Sequence, residues 1–182
     1  MFILIIGASG SGTTTVGKAL AAARCIPHFD IDDYFWQPTD PPFVTPRPRE
    51  ERLRLLTDDL ERAGSAVLSG SFCGWGDSLI PRLNAVVRIV TPTTLRLERL
   101  KAREYAAFGE RIRPGGDMAE GHAAFLTWAA MFDTAGPDTR SRALLDRWLA
   151  GAPCPCLEVD GSRPVGETIE KISVWMGKDG EK

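Results

Sequence analysis

Histidine and cysteine are scarce in this chain, at 2 and 4 residues of 182. Cys25, Cys73, Cys154 and Cys156 form no metal-ligand pattern. Cys154-Pro155-Cys156 is too tight for an ordinary zinc half-site, and no matching Cys or His pair follows it. The expectation is four reduced thiols in a cytoplasmic protein. His28 and His122 have no third ligand, which argues against a histidine-built metal centre. No apolar run reaches membrane-spanning length, and the first one is short and lacks a basic flank. Neither a membrane partner nor a secretory leader is therefore expected. Charge of one sign is lacking too: 22 basic residues stand against 24 acidic ones, without a long basic run. That argues against nucleic acid as the main partner. Repeats and an inter-domain linker are also missing. The length suits one domain with a substantial core, over residues 1–176, followed by a tail at 177–182.

The most informative absence is a single lysine. Residues 2–6 are apolar and mostly β-branched, and lead into Gly7-Ala8-Ser9-Gly10-Ser11-Gly12-Thr13-Thr14-Thr15. The spacing of Gly7, Gly12 and Thr14 is that of a phosphate-binding loop: Gly, four residues, Gly, Lys, then Ser or Thr. Thr13 occupies the lysine position. The glycines allow a tight turn in which several N–H groups face one anion. A helix opening near Gly12 adds its positive end. Thr14 offers a hydroxyl to Mg²⁺. Thr13 cannot supply the charge that lysine brings to the outer phosphates. Losing one such transition-state donor costs about 3–4 kcal/mol in other enzymes. Lys18 is a poor substitute, since it lies one turn further on, opposite Val16, Leu20 and Ala23.

Strand and helix alternate along the chain, which predicts an α/β fold with a parallel sheet. Strands are expected over residues 2–6, 28–31, 66–69, 85–90 and 156–159. Helices are expected over 14–24, from 93 to just before Gly109, over 140–149 and over 165–175. Two more carry Leu53, Leu56, Leu60 and Ala63, and Met118, His122, Phe125, Ala129 and Phe132. Residues 37–48 form a proline-rich loop, and 109–117 are polar and glycine-rich.

Asp30, Asp32 and Asp33 follow the second strand, at the sheet end where parallel folds bind ligands. If that strand neighbours the first, they face the outermost phosphate. Asp32 and Asp33 are then candidates for the base toward an attacking hydroxyl, Asp32 also for Mg²⁺, with Asp30 behind them. The alternative is a solvated acidic turn that caps the next element. Arg96, Arg99 and Arg103 are spaced to share a helix face, and Arg111 and Arg113 follow in the flexible segment. Arginines carried by a closing lid can neutralise a transferring phosphoryl group, and these are the obvious replacement for the lysine. A solvated stripe paired with Glu98, Glu104 and Glu110 is the other reading. Arg47, Arg49, Arg52 and Arg54 could clamp an anionic acceptor or decorate a helix surface. Tyr34, Phe35 and Trp36 could wall an acceptor pocket or pack on the sheet, and Trp75 lies after the third strand. No Asn-Lys-x-Asp motif reads guanine, as a GTPase switch would require. A motor or AAA-type ATPase is poorly supported, without an aspartate-ended Walker B strand or a second oligomerisation domain.

These residues, in this order, resemble the nucleoside and nucleotide kinase group of P-loop proteins, and the chain is similar to its small adenylate-kinase-like members over residues 1 to about 176. The resemblance implies a P-loop three-layer sandwich, a five-stranded parallel sheet in the order 2-3-1-4-5 flanked by helices, with a helical lid at about 104–118. It implies ATP and Mg²⁺ as cofactors and a small-molecule acceptor, a nucleotide or nucleoside being favoured, in a monomer or homodimer. By that resemblance Ser9, Gly10, Ser11, Gly12, Thr13, Thr14 and Thr15 hold ATP phosphates, residues 99–113 lie in or near the lid, and Gly161 and Arg163 border the adenine. The run from Asp32 to Phe35, with Pro38, is similar to the acidic motif of uridine kinase, in which an aspartate is the base. The other reading is a nucleotide-binding protein that has lost catalysis with its lysine.

Overall fold

The computed structural model describes residues 1–179. One parallel sheet is built from β1 (Phe2–Gly7), β2 (His28–Asp30), β3 (Ala66–Ser69), β4 (Ala85–Val90) and β5 (Cys156–Asp160). Their order is β2-β3-β1-β4-β5, the one the kinase resemblance implies. Every residue of β1 and β3 is buried. Such continuous apolar runs are what a parallel sheet covered on both faces demands.

Parallel neighbours need crossovers, and helices supply them. α1 (Thr13–Arg24) follows β1. The five-residue α2 (Ile31–Phe35) follows β2, and α3 (Arg49–Ala63) leads into β3. Later come α4 (Thr93–Phe108), α5 (Ala119–Ala130), α6 (Arg142–Ala150) and α7 (Val165–Asp179). Strand alternation sends Ile3, Ile5, Val67, Ala85, Val87, Ile89 and Val159 to one core cluster. There they meet Val16, Leu20 and Ala21 of α1 and Ile172 of α7. Each fully buried aliphatic side chain contributes about 1.5–3 kcal/mol, so this cluster anchors α1 firmly on β1.

By its contacts the chain divides into two compact units. The first holds Met1–Gly7, Gly12–Val90 and the chain from Gly151 onward; the second holds Ala8–Ser11 and Thr91–Ala150. The expected lid segment falls in the second. No helix among the described residues is long and apolar enough to cross a membrane.

Two local readings are corrected. β2 ends at Asp30, because the Asp30 side chain accepts the Asp32 N–H and starts α2 at Ile31. The terminal helix runs through Gly177 to Asp179, so the tail expected from 177 is helical that far. Its remainder lies outside the described residues.

Candidate functional site

β1 has β3 on one side and β4 on the other, so its C-terminal end marks where the strand order diverges. Gly12 precedes α1 with φ 99°, a left-handed conformation that suits glycine, and makes no side-chain cap bond. No acidic residue lies in the first turn of α1. The helix therefore opens at Thr13, Thr14 and Thr15 without a capping side chain or a carboxylate of its own, and its positive end is available to an anion.

Thr14 Oγ1 donates to Asp30 Oδ2 at 2.8 Å. Ser69 Oγ lies 3.4 Å from the same oxygen, and His28 Nε2 lies 2.9 Å from Ser69 Oγ. The bonds form a consistent chain when His28 donates from Nε2, Ser69 donates to Asp30 and Thr14 donates to Asp30. Burial pulls the His28 pKa below 6.5, with Lys18 in the same direction and Asp30 and Asp33 opposing. The imidazole is thus neutral at pH 7. The close approach depends on Gly17: a Cβ there would lie 2.9 Å from His28 Nε2 and 3.0 Å from Ser69 Cβ.

Asp30 ends its strand facing Thr14, the position the sequence reading gave to Asp32 and Asp33. It also caps α2, as the alternative reading held. Asp32 and Asp33 are exposed residues at the start of α2. Burial and the neighbouring Asp30 charge raise the Asp33 pKa above the usual carboxylate value, against His28 and Lys18. Thr14 and Asp30 together fit Mg²⁺, which in phosphate sites takes one or two protein oxygens and completes its shell with water and substrate oxygens. No group of three or more His, Cys, Asp or Glu side chains suited to a metal ion occurs among the described residues.

Tyr34 is buried and donates to Asp59 Oδ2 at 2.6 Å, so it ties α2 to α3 and does not wall a pocket. Burial and the Asp59 bond push its pKa up. Phe35 carries the Arg52 guanidinium 3.8 Å above its ring, and Trp75 lies 5.9 Å from the same group. Burial lowers the Arg52 pKa from its ordinary value. Arg52 Nε donates to Arg47 O, and Arg49 Nε donates to Trp75 O at 3.3 Å. Arg47 pairs with Glu51, and Arg54 with Asp58. Arg49 and Arg52 have no carboxylate partner among the described residues. Their terminal nitrogens remain for an anion.

In the second unit, residues 8–11 form a turn closed by Ser11 N–H to Ala8 O at 3.1 Å, with Gly10 at φ 80°. Ser11 is 1% exposed and its hydroxyl has no hydrogen-bond partner. A buried orphan hydroxyl in a glycine-rich turn suits an anionic ligand. The arginines assigned to one helix face separate. Arg96 is buried in line with Leu100 and Glu104, whereas Arg103 is exposed and pairs with Glu104 at 2.9 Å. Arg99 is half-buried. Arg111 grips Asp117 at 2.7 Å, holding that carboxyl below its usual pKa. Arg113 bonds Glu110 and the Tyr105 hydroxyl.

After β5, Gly161 N–H donates to Val90 O, and Ser162 donates its N–H and hydroxyl to Asp160 Oδ1. The Ser162 bonds lower the Asp160 pKa. Arg163 lies 3.9 Å from Glu167. The sequence reading missed Ser69 and treated Asp30 as secondary. The signal was available: both residues close a parallel strand at its C-terminal end.

The sequence model of the AAA domain family matches residues 3–113. The uncharacterized protein YqaC of Bacillus subtilis (strain 168) is 39% identical over 177 residues, covering 97% of this chain and 98% of that protein. Among solved structures, shikimate kinase from Bacteroides thetaiotaomicron superposes with a TM-score of 0.58 at 16% identity, covering 97% of this chain and 98% of the other. Shikimate kinase from Acinetobacter baumannii, in complex with shikimate, gives 0.57 at 17% identity, covering 100% and 95%. The sequence argues against an AAA-type ATPase, for want of an aspartate-ended Walker B strand and a second oligomerisation domain, and the family match corrects that expectation at the level of the family. β3 does end in Ser69, and the aspartate at Thr14 comes from β2. The matched span, more than half of the chain, shows that it belongs to the AAA domain family, and it carries the fold of the P-loop small-molecule kinases.

Proposed function

We propose that this chain transfers the γ-phosphoryl group of ATP to a hydroxyl of a small anionic acceptor. The observation that carries the proposal is the Thr14–Asp30 bond beside the uncapped start of α1. The glycine-rich loop, from Gly7 to Thr15, takes the phosphates on backbone N–H groups. Thr14 and Asp30 hold Mg²⁺, which when bound neutralises phosphate charge. Asp32 or Asp33 accepts the proton of the attacking hydroxyl. Burial and the neighbouring Asp30 charge raise the Asp33 pKa, which favours Asp33 as that base. Arg49 and Arg52 favour an acceptor that carries a phosphate or carboxylate, as a nucleotide or a small hydroxy acid does. Arg99, Arg103, Arg111 and Arg113 take the lysine's role toward the transferring group. The surface pairs of Arg103, Arg111 and Arg113 are of a kind that exchanges readily for a phosphate. Gly161 and Arg163 border the adenine. The test of this charge replacement is single Ala substitution at Arg99, Arg103, Arg111 and Arg113. At least one lowers kcat by about 10-fold or more, within the range of a lost transition-state donor. Unchanged turnover in all four would contradict it.

Thr13 favours a second reading, a nucleotide-binding protein without turnover. Thr13→Lys separates the two. On the kinase reading it raises kcat, because the remaining machinery is present. Tight nucleotide binding with no turnover in either form supports the second reading.

A further inference from the structure

Arg96 is 1% exposed, and all five of its N–H donors have acceptors nearby. Nε donates to Thr91 O at 3.2 Å. One terminal nitrogen faces Ser9 O at 3.5 Å and Ala129 O at 3.2 Å. The other reaches Thr93 Oγ1 at 2.9 Å and Asp133 Oδ2 at 2.7 Å. A guanidinium so fully committed has no donor left for a phosphate, so its part is to position other groups.

What it positions is the turn at residues 8–11. Ser9 O points at Arg96, and Ser11 O accepts from the Thr91 hydroxyl at 3.2 Å. In a planar trans peptide the N–H points opposite to the C=O. Fixing the Ser9 carbonyl toward Arg96 and the Ser11 carbonyl toward Thr91 therefore turns the N–H of Gly10 and the N–H of Gly12 away from those two side chains. Those are donors of a phosphate nest. Gly10 closes the fit: a Cβ there would lie 2.6 Å from Arg96 O and 2.9 Å from Leu100 Cγ.

The same guanidinium reaches the far end of the segment that follows the expected lid. Ala129 lies in the last turn of α5, and Asp133 ends the 3-10 turn Met131–Asp133. Burial opposes ionisation of Asp133, but the Thr93 bond and the Arg96 charge together keep its carboxyl below the usual pKa. Asp133 is thus the counter-ion of Arg96.

We propose that Arg96, with Thr91 as its partner, is a positioning residue that holds the carbonyls of residues 8–11 so that the N–H groups of the turn are left for phosphate, and that it couples phosphate binding to residues 119–133. This rests on the reading that the loop holds nucleotide phosphates. Arg96 substitutions could unfold the chain, so the test uses Thr91→Val, Thr91→Ser and Asp133→Asn, with ADP as the probe. Calorimetry measures ADP affinity, and amide hydrogen exchange follows residues 119–133 with and without ADP. In Thr91→Val, ADP affinity falls about 10-fold and the KM for ATP rises by more than kcat falls; Thr91→Ser restores both. ADP slows exchange across 119–133 in the wild type and does so much less in Asp133→Asn. Variants that bind ADP as the wild type does, with the same exchange response, would overturn the coupling while leaving the kinase reading intact. A wild type that binds no nucleotide would overturn both.

Discussion

Thr14 and Asp30 meet across 2.8 Å, joining the first turn of α1 to the last residue of β2. The helix brings a hydroxyl and an uncapped positive end; the strand brings a carboxylate. Ser69 meets the same carboxylate oxygen, and His28 bonds Ser69 in turn.

Asp30→Asn keeps the shape of this site but removes the charge. Partners that orient metal ligands cost about 10- to 100-fold in metal affinity when altered. Half-saturation by Mg²⁺ in the turnover assay therefore shifts upward by that factor, while ADP binding without Mg²⁺ changes much less. Equal Mg²⁺ dependence in the variant and the wild type would remove Asp30 from the site.

Arg49 and Arg52 separate acceptor binding from nucleotide binding. Hydrogen bonds to charged groups contribute about 1.5–3 kcal/mol. Arg52→Ala thus raises the acceptor KM about 10- to 100-fold, and Arg49→Ala acts in the same direction. The KM for ATP moves far less in both. Steady-state kinetics with each substrate varied in turn checks the split, and a rise confined to ATP would contradict it.

His28 gives stability a pH dependence of known sign. Its folded pKa lies below the unfolded 6.5, chiefly through burial. Between those two values the unfolded chain binds more protons, so stability rises with pH there. The contribution is present above about 6.5 and is lost as pH falls through the folded pKa. Melting temperatures from pH 8 to pH 5 fall more steeply for the wild type than for His28→Gln. Parallel curves would refute a neutral, half-buried His28.

The centre of the sheet was legible because β1, β3 and β4 are mainly apolar runs. β3 and β4 fall where the sequence puts them, at 66–69 and 85–90. The resemblance supplied the strand order, which periodicity cannot. The site was legible in type but not in assignment. Three aspartates within four residues look alike in sequence, and only the strand end and the α2 cap decide which faces Thr14. Arg96 was grouped with Arg99 and Arg103 because spacing alone allows it. Burial of Arg96 depends on Asp133, 37 residues away, and on carbonyls that no side-chain pattern records.

Phosphoryl transfer to a small anionic acceptor is tested most directly by ADP release from ATP and Mg²⁺, measured against a panel of nucleosides, nucleotides and small hydroxy acids. The expected result is acceptor-dependent ADP release with at least one compound bearing both a hydroxyl and a phosphate or carboxylate, and loss of that turnover in Arg52→Ala at low acceptor concentration. Tight ADP binding with no acceptor-dependent release from any member of the panel would contradict it.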